Sequence, residues 1–265
     1  MAEGTELLER LESRVLVLTM NRPDQLNALT PEMIATLRAA LERAAVDGEV
    51  GAVVLTGSGR GFCAGGDVKA MAKSVNPALP LEARVRQLRT GMETSRILHT
   101  MGKPTLAMVR GPAAGAGLSL ALACDLVFAS DTAKLTSAFA KVALSGDFGG
   151  SYFLTRRLGA RARQFVMLSP VVDAAEASRL GLVDRVIADA DLERETMETA
   201  RALANGPGVA LGYMKANFNL AERGATFEDM LDIEAEHHTR CYYTEDHADA
   251  ARAFVEKRAP VFKGR

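Results

Sequence analysis

The sequence predicts an α/β fold, and three observations indicate it. In the first 190 residues, short apolar runs typical of buried strands alternate with longer stretches of helical periodicity. Turn residues bound each of these apolar runs. After residue 191 the apolar spacing is helical throughout. Strands that alternate with helices favour a mostly parallel sheet, so we expect a core over residues 1–190 and a helical module over residues 191–265.

The elements follow in chain order. Buried strands are expected at residues 15–20, 51–56 and 105–109. Between the first two, Thr30 is a typical N-cap and Pro31 fits the first helical position. Apolar residues spaced four apart, Met33, Leu37 and Leu41, extend that helix to about residue 45. Beyond a joint at residues 187–191, helices are expected at residues 192–204, 209–221, 227–238 and 248–257.

The composition excludes several classes of function. Of the 265 residues, 48% are hydrophobic and 25% are charged, which is typical of a globular protein. The formal net charge of −1 gives no field for a polyanion, so nucleic-acid binding is not expected as the main role. The N-terminus is acidic and no apolar stretch reaches the roughly 18 residues of a membrane span. We therefore expect a cytoplasmic protein without membrane contact.

The cysteines and histidines do not form a site pattern. The three cysteines have no paired spacing, and the four histidines include no ligand motif such as HExxH. Neither a disulfide framework nor a metal site is expected.

Two glycine-rich turns, residues 61–67 and 111–117, are the most informative feature. Each follows a strand-like run and leads into a helix-like one. Glycine lets a ligand approach the backbone closely, and a strand-to-helix turn leaves N–H groups without intrahelical partners. Two such donors aimed at one carbonyl oxygen would form an oxyanion hole.

The order of motifs along the chain resembles the crotonase superfamily, the enoyl-CoA hydratases and isomerases. The motifs at the start of the chain are Asn21-Arg22-Pro23-Asp24, Leu26-Asn27-Ala28-Leu29, Phe62-Cys63-Ala64-Gly65-Gly66-Asp67-Val68 and Gly115-Ala116-Gly117-Leu118. The match continues through Cys124-Asp125, Arg157-Leu158-Gly159, Ala174-Ala175-Glu176-Ala177, Leu180-Gly181-Leu182-Val183 and Ala253-Phe254-Val255-Glu256-Lys257-Arg258. The resemblance therefore covers nearly the whole chain.

The resemblance implies a fold, a partner and the oxyanion donors. The core would be a crotonase-like spiral of ββα units, and the helical module would pack on a neighbouring copy in a homotrimer or homohexamer. The substrate would be an acyl-CoA thioester, with coenzyme A as part of the substrate and no separate cofactor. The backbone N–H groups of Gly66 and Ala116 match the donors that hold the thioester oxygen.

The acid and base positions distinguish the branches of the family. Typical hydratases carry two glutamates where this chain has Ser119 and Phe139. Water addition needs groups that activate water and supply a proton, so hydration by the usual mechanism is not favoured. Asp147 matches the single acidic shuttle of isomerase branches, which resemble phenylacetate-pathway enzymes. Isomerisation needs only one base, and an apolar pocket formed by Phe139 and Phe148 would raise the pKa of Asp147.

Three alternatives concern single residues. Asp147 would instead cap the helix expected near Ser151. Dehalogenases of the family use an aspartate at the position of Asp147 as nucleophile, but their partner histidine is replaced here by Met92. His99 lies two turns later, roughly 10 Å along a helix axis, so a core or surface role is expected for it.

Coenzyme A contacts are carried over from the resemblance. The backbone at 64, 67 and 68 matches the segment beside the nucleotide, Lys69 and Lys257 match residues near the phosphates, and Phe254 matches an aromatic residue near the adenine. The expected binding residues are Asn27, Ala28, Ala64, Asp67, Val68, Lys69, Phe254 and Lys257. The pocket-forming segment 71–88 resembles the family least.

The sequence thus predicts an acyl-CoA enzyme that shifts a double bond through a thioester enolate, with Asp147 as proton shuttle. An enoyl-CoA hydratase is the first alternative. A non-catalytic CoA-binding or RNA-binding member of the family is the second.

Overall fold

The computed structural model of the chain describes residues 5–73 and 79–265. The first residues of the acidic N-terminus and residues 74–78 of the expected pocket segment lie outside the described residues.

The described chain alternates strands and helices up to Ile187. The strands are β1 (Leu7–Glu12), β2 (Val15–Met20), β3 (Ala52–Gly57), β4 (Thr105–Val109), β5 (Pro112–Ala114), β6 (Leu126–Ser130), β7 (Lys134–Thr136), β8 (Val172–Asp173) and β9 (Arg185–Ile187). The helices are α1 (Pro31–Val46), α2 (Val68–Lys73), α3 (Leu81–Gly91), α4 (Glu93–Thr100), α5 (Ala116–Leu122), α6 (Gly150–Leu158), α7 (Arg161–Leu168), α8 (Ala174–Leu180), α9 (Leu192–Ala204), α10 (Gly208–Glu222), α11 (Phe227–Tyr242) and α12 (Glu245–Glu256). Short 3-10 turns cover Pro23–Gln25 and Phe139–Val142.

Two sheets organise the core. A six-stranded sheet has the order β1-β2-β3-β4-β6-β9, and a three-stranded sheet has the order β5-β7-β8. In the larger sheet β1 is antiparallel to β2 and the other neighbours are parallel. The three predicted strands are β2, β3 and β4, which lie side by side at its centre, with Val17 opposite Val54.

The connections between the sheets produce the spiral that the resemblance implied. The chain passes from β4 in the large sheet to β5 in the small one and then into α5. It repeats this path through β6 and β7 before reaching α6. In each ββα unit the second strand therefore lies in the small sheet, and a turn leads from that strand to the helix. The second glycine-rich turn is the one between β5 and α5.

Helix α1 begins as its sequence predicts. The Thr30 side-chain oxygen accepts a hydrogen bond of 3.0 Å from the Met33 N–H, and Pro31 occupies the first helical position. Met33, Leu37 and Leu41 are fully buried against the large sheet. Burial of this stripe orients α1, whose other face is left for the cavity described below.

Every described element after Ile187 is helical. Helix α9 covers one face of the large sheet and buries Leu192, Met197 and Ala200 there. Helix α10 is joined to the core by Lys215, whose ammonium lies 2.9 Å from the Asp125 carboxylate. Neither α10 nor α11 has a buried residue. Helices α10 and α11 therefore lie on the outside of the core, and the division at residues 190/191 into two folding units stays a prediction.

Among the described residues, no helix combines the length and the apolar character that crossing a bilayer requires.

Candidate active site

The first glycine-rich turn runs beside the segment that precedes α1. The Leu29 N–H donates to the Gly65 carbonyl at 2.8 Å, and the Asp67 N–H donates to the Leu29 carbonyl at 3.3 Å. Residue 66 lies between these two bonds in a parallel bridge with Leu29. Because alternate residues of an extended segment point their backbone groups to opposite sides, the Gly66 N–H faces away from Leu29.

The second glycine-rich turn places the N-terminus of α5 next to the first glycine-rich turn. Gly115 has φ of 54°, a conformation that favours glycine, and Ala116 is the first residue of α5. The Ala114 N–H donates to the Cys63 carbonyl at 2.9 Å. A Cβ atom built at Gly117 would overlap that same carbonyl oxygen. Only a residue without a side chain allows the two turns to pack this closely.

The two expected oxyanion-hole donors, the N–H groups of Gly66 and Ala116, lie close to each other. A Cβ atom built at Gly65 would lie 3.5 Å from the Ala116 nitrogen, so the turns meet beside both donors. Within residues 5–73 and 79–265, neither the Gly66 N–H nor the Ala116 N–H donates a backbone hydrogen bond. Two unpaired N–H groups on adjacent backbone turns are what an oxyanion hole requires.

A cavity of about 760 Å³ is lined in part by Met71 and Phe139, whose side chains also approach Gly66 and Gly115 of these turns. Its walls come from α1, α3, Met71 of α2 and the loop before α6. Helix α1 contributes Pro31, Ile34, Ala35 and Arg38, and helix α3 contributes Arg84, Gln87, Leu88, Thr90 and Gly91. The loop contributes Phe139, Leu144, Ser145, Gly146, Asp147 and Phe148. The volume is in the range of small-molecule sites.

Asp147 is the only carboxylate among the described residues that line this cavity. Burial raises the pKa of Asp147 to about 6. Its Oδ1 atom is buried and has no hydrogen-bond partner among the described residues. A carboxylate that is desolvated but not neutralised by a charged partner is suited to take and return a proton near neutral pH.

The capping alternative for Asp147 is excluded. Helix α6 begins at Gly150, its N-cap is Gly149, and no side chain caps it. Asp147 instead occupies a turn between two glycines in the left-handed region, Gly146 with φ of 107° and Gly149 with φ of 78°. The turn directs the Asp147 side chain to the cavity while its carbonyl accepts a hydrogen bond from the Gly150 N–H at 3.0 Å.

The positions of the two missing glutamates are filled by packed side chains. Ser119 is buried on α5 and its hydroxyl donates to the Gly115 carbonyl at 3.2 Å. A Cβ atom built at Gly150 would lie 2.5 Å from the Ser119 Oγ. The start of α6 therefore sits directly on Ser119 and leaves no space for a longer side chain. Phe139 is 8% exposed and lines the cavity.

Asn27 is a brace and its side chain is not open to a ligand. It is fully buried, and its amide donates to the carbonyls of Gly61 at 2.7 Å and Ser58 at 2.9 Å. Its side-chain oxygen accepts from the Arg22 N–H at 2.9 Å. Ala28 beside it is also buried. Any contact of these two residues with coenzyme A would therefore involve backbone atoms.

Asp67 likewise braces the first turn with its side chain. The Ala70 N–H and the Arg22 guanidinium hold the pKa of Asp67 below its usual value. The distance from the Asp67 carboxylate to both terminal nitrogens of Arg22 is 3.1 Å. Val68 and Lys69 follow at the start of α2 and are exposed, whereas Ala64 is half-buried. This edge of the turn is the part that an approaching nucleotide would meet.

Phe254 and Lys257 lie at the end of the last helix. Phe254 is on α12 and is 86% exposed, and Lys257 ends that helix in a left-handed conformation. Helix α12 packs against α11. Both residues therefore belong to the helical module, whereas Ala64 and Lys69 belong to the first glycine-rich turn and to α2.

His99 belongs to a different region, as expected. Its ring packs edge-on against Phe153 at 5.2 Å and Tyr152 at 5.9 Å, and burial lowers its pKa. It lines a separate cavity of about 420 Å³ beneath α10. Met92, at the position of the dehalogenase histidine, packs partly buried against the core.

The cysteines and the described acidic groups offer no second chemistry. Burial raises the pKa of Cys63 and of Cys124 to about 12, so neither is a ready nucleophile. Within the described part of the chain, no three His, Cys, Asp or Glu side chains are placed to hold a metal ion.

Sequence reasoning missed the α1 wall of the cavity, whereas most of the α3 wall falls within the pocket-forming segment 71–88. On α1 the lining residues are Pro31, Ile34, Ala35 and Arg38, which have the spacing of one helix face. The face of α3 that includes Arg84, Gln87, Leu88 and Gly91 has the same spacing. Both faces mix polar and apolar residues, so periodicity alone does not mark them as a binding wall.

Comparisons with known proteins agree with this arrangement. A model of the enoyl-CoA hydratase/isomerase family matches residues 10–265. The 1,2-epoxyphenylacetyl-CoA isomerase of Escherichia coli K12 is 36% identical over 261 residues, which are 98% of each chain. The short-chain-enoyl-CoA hydratase of Clostridium acetobutylicum is 34% identical and covers 95% of each chain. The crystal structure of an enoyl-CoA hydratase from Polaromonas sp. JS666 superimposes with a TM-score of 0.90 at 34% identity, covering 97% of this chain and 99% of that one.

The match extends over the oxyanion turns, the Asp147 loop and the C-terminal helices, and the relatives carry the names of both isomerases and hydratases. The chain is therefore an acyl-CoA enzyme with the crotonase fold, and it belongs to the enoyl-CoA hydratase/isomerase family.

Proposed function

We propose that the protein is an enoyl-CoA isomerase that moves a carbon–carbon double bond along the acyl chain of a CoA thioester. The single observation that carries the proposal is Asp147, which has a pKa of about 6 and is the only carboxylate among the described residues that line the cavity.

The thioester oxygen binds between the N–H groups of Gly66 and Ala116. Loss of the proton next to the carbonyl places negative charge on this oxygen, and fixed donors stabilise that charge without reorganising. Each such donor lowers the barrier by about 3–4 kcal/mol.

Asp147 carries the proton. As carboxylate it takes a proton from C2 of a 3-enoyl-CoA and forms a dienolate whose negative charge rests on the thioester oxygen. As carboxylic acid it returns the proton to C4, which leaves the double bond at C2. A pKa near neutrality lets the same group act well in both steps. The double bond moves by proton transfer alone, so CoA takes part only as a portion of the substrate.

Hydration is the alternative, because relatives of both kinds have similar identity to this chain. It would need a group that positions water in addition to the proton donor. Within the described lining of the cavity, no second carboxylate is available, and Ser119 and Phe139 are packed by the start of α6 and its preceding loop.

A non-catalytic member of the family, binding CoA or RNA, is the second alternative. A carboxylate with a raised pKa costs folding free energy at neutral pH, because the folded state holds its charge less favourably than water does. Such a group in a cavity supports a chemical role.

The CoA portion extends along Ala64, Asp67, Val68 and Lys69. Phe254 and Lys257 reach the nucleotide of a neighbouring copy in a homotrimer or homohexamer. Support for this comes from the exposure of both residues at the end of the helical module.

The test is incubation of the protein with a 3-enoyl-CoA and, separately, with a 2-enoyl-CoA, followed by absorbance and mass. We expect the 3-enoyl substrate to become the conjugated 2-enoyl product at constant mass. Asp147→Asn should lower turnover by about two orders of magnitude or more while acyl-CoA binding changes little. Asp232→Asn, which removes an exposed carboxylate on α11, is the matched control.

Gain of one water by the 2-enoyl substrate without any shift of the double bond would establish hydration instead. Near-normal turnover in Asp147→Asn would remove Asp147 from the mechanism. CoA binding without either reaction would favour the non-catalytic alternative.

A further inference from the structure

The ring of Phe139 is packed among three glycines. Its Cε1 lies 3.6 Å from the place a Cβ would occupy at Gly115, and its Cδ2 lies 3.7 Å from that place at Gly146. At Gly150 the corresponding distance to Cε2 is 3.8 Å. A methyl group at any of these three positions would be in ordinary van der Waals contact with the ring, so the ring lies about one methyl group away from the backbone of each glycine.

These glycines flank the reacting groups. Gly115 immediately precedes the donor residue Ala116, and Gly146 immediately precedes Asp147. The ring therefore spans the gap between the turn that holds the thioester oxygen and the turn that holds the base. Opposite edges of the ring face the two turns, because Cε1 is near Gly115 and Cδ2 is near Gly146, so the width of the ring limits how closely the two turns can approach.

The backbone around Phe139 is fixed independently of the ring. Ala138 and Ala143, on either side of the short turn Phe139–Val142, both have φ of 56°. The Leu144 N–H donates to the Phe139 carbonyl at 3.1 Å. A substitution of the Phe139 side chain therefore changes what occupies the gap between the two turns. The backbone conformation and the hydrogen bond just described still hold the main chain around residue 139.

The same ring also limits the solvation of Asp147. Phe139 and Phe148 both line the cavity beside the carboxylate. The other charged groups lining that cavity are Arg38 on α1 and Arg84 on α3, and desolvation is the cause of the raised pKa of Asp147. Removal of the ring would admit water at the carboxylate and shift that pKa towards its ordinary value.

We propose that Phe139 is a positioning residue that sets the spacing between the oxyanion donors and Asp147 and fills the space in which water would solvate the carboxylate. This inference rests on the proposed function. It accounts for the aromatic side chain at position 139, where typical hydratases carry a glutamate. In this chain the residue at that position packs between the two turns and does not supply a second acid.

The experiment compares Phe139→Leu with Phe128→Leu. Phe128 is buried on β6 beneath α9, away from the cavity, so it controls for general loss of packing. For Phe139→Leu we expect kcat for isomerisation to fall about tenfold or more, because small misplacements of reacting groups are costly. KM should stay within about threefold, and the acidic limb of the kcat/KM profile should move to lower pH. Phe128→Leu should leave the pH profile unchanged.

Phe139→Met, which restores most of the volume, should recover part of both kcat and the pH profile, and it also serves if Phe139→Leu does not fold. An unchanged acidic limb in both Phe139 variants, or equal losses of kcat in Phe139→Leu and Phe128→Leu, would overturn the positioning role. Asp147→Asn is measured alongside. If it is inactive, those outcomes reject only the role of Phe139; if it is active, the proposed function itself is rejected.

Discussion

At the scale of single residues, the desolvation of Asp147 predicts that the proposed reaction depends on pH. Only the ionised carboxylate can take a proton, and its pKa is about 6. We expect kcat/KM to be level near pH 8 and to fall about tenfold per pH unit well below pH 6. Rates measured between pH 4.5 and 8.5, with acyl-CoA affinity measured at each pH, would show this. A level profile down to pH 4.5 would contradict the assignment.

The raised pKa of Asp147 also lowers the free energy of unfolding at neutral pH. The pKa of Asp147 in the folded protein lies above the ordinary aspartate value of 3.8, so the folded protein binds the extra proton between those two values and loses stability as pH rises through them. Asp147→Asn stays neutral at every pH. After allowance for partial solvent access, we expect the variant to gain about 2 kcal/mol in the free energy of unfolding at pH 7.5.

Urea unfolding at pH 7.5 and at pH 4 is the measurement. The gain should be nearly absent at pH 4, where the wild-type carboxyl is largely protonated when folded. An equal gain at both pH values would indicate a cause other than charge.

At the scale of elements, the two oxyanion donors differ in how cleanly they can be removed. A Cβ atom at Gly66 would lie 2.5 Å from the Met71 Cε, so Gly66→Pro disturbs α2 as well as the N–H. Ala116 is the first residue of α5, where proline fits a helix and no intrahelical bond is lost. Gly115 before it has no Cβ to meet the proline ring.

Ala116→Pro should therefore keep its fold and lose turnover by roughly a hundredfold to a thousandfold. Ala116→Gly retains the N–H and is the control. Turnover, melting temperature and CoA affinity are measured on one preparation of each. A folded Ala116→Pro protein with wild-type turnover would remove Ala116 from the oxyanion hole.

Elements with strong local signals were predictable from the sequence. The cap at Thr30 and the apolar spacing of α1 are local, and so are the apolar runs of β2 to β4. The C-terminal helices lie within a few residues of their expected bounds. The glycine turns were visible because close backbone approach restricts the residue type.

Other elements depend on tertiary packing and give little local signal. Strands β5, β7 and β8 have two or three residues each, too few for a period to be read. The faces of α1 and α3 become a cavity wall only through their packing, where Gly91 lies against Ile34. Whether Asp147 caps α6 depends on the turn at Gly149, which the sequence left open.

At the scale of the whole molecule, the C-terminal helices expose large apolar side chains. Phe218 on α10 is 73% exposed and Tyr243 after α11 is 82% exposed. Such exposure on consecutive elements indicates an association surface, and closed symmetric assemblies are the usual result. We expect three or six chains by light scattering coupled to size-exclusion chromatography.

Phe218→Glu should shift the protein to smaller species, because a charge would be buried at that surface without a partner. Val46→Glu, at an equally exposed apolar residue at the end of α1, should leave the assembly unchanged. A wild-type monomer at all concentrations, or equal shifts in both variants, would contradict association through the helical module.

The contact of Gly117 with the Cys63 carbonyl has a consequence for how this enzyme can be altered. The groups that stabilise charge belong to the main chain, and their closeness depends on a position that admits no side chain. Under the proposed function, the groups that fit the acyl portion are side chains on other elements, such as Ile34, Ala35 and Leu88. Substrate choice and charge stabilisation are thus encoded at separate positions. A combinatorial library at those three residues would diversify the accepted acyl groups while each member inherits the same enolate-forming machinery.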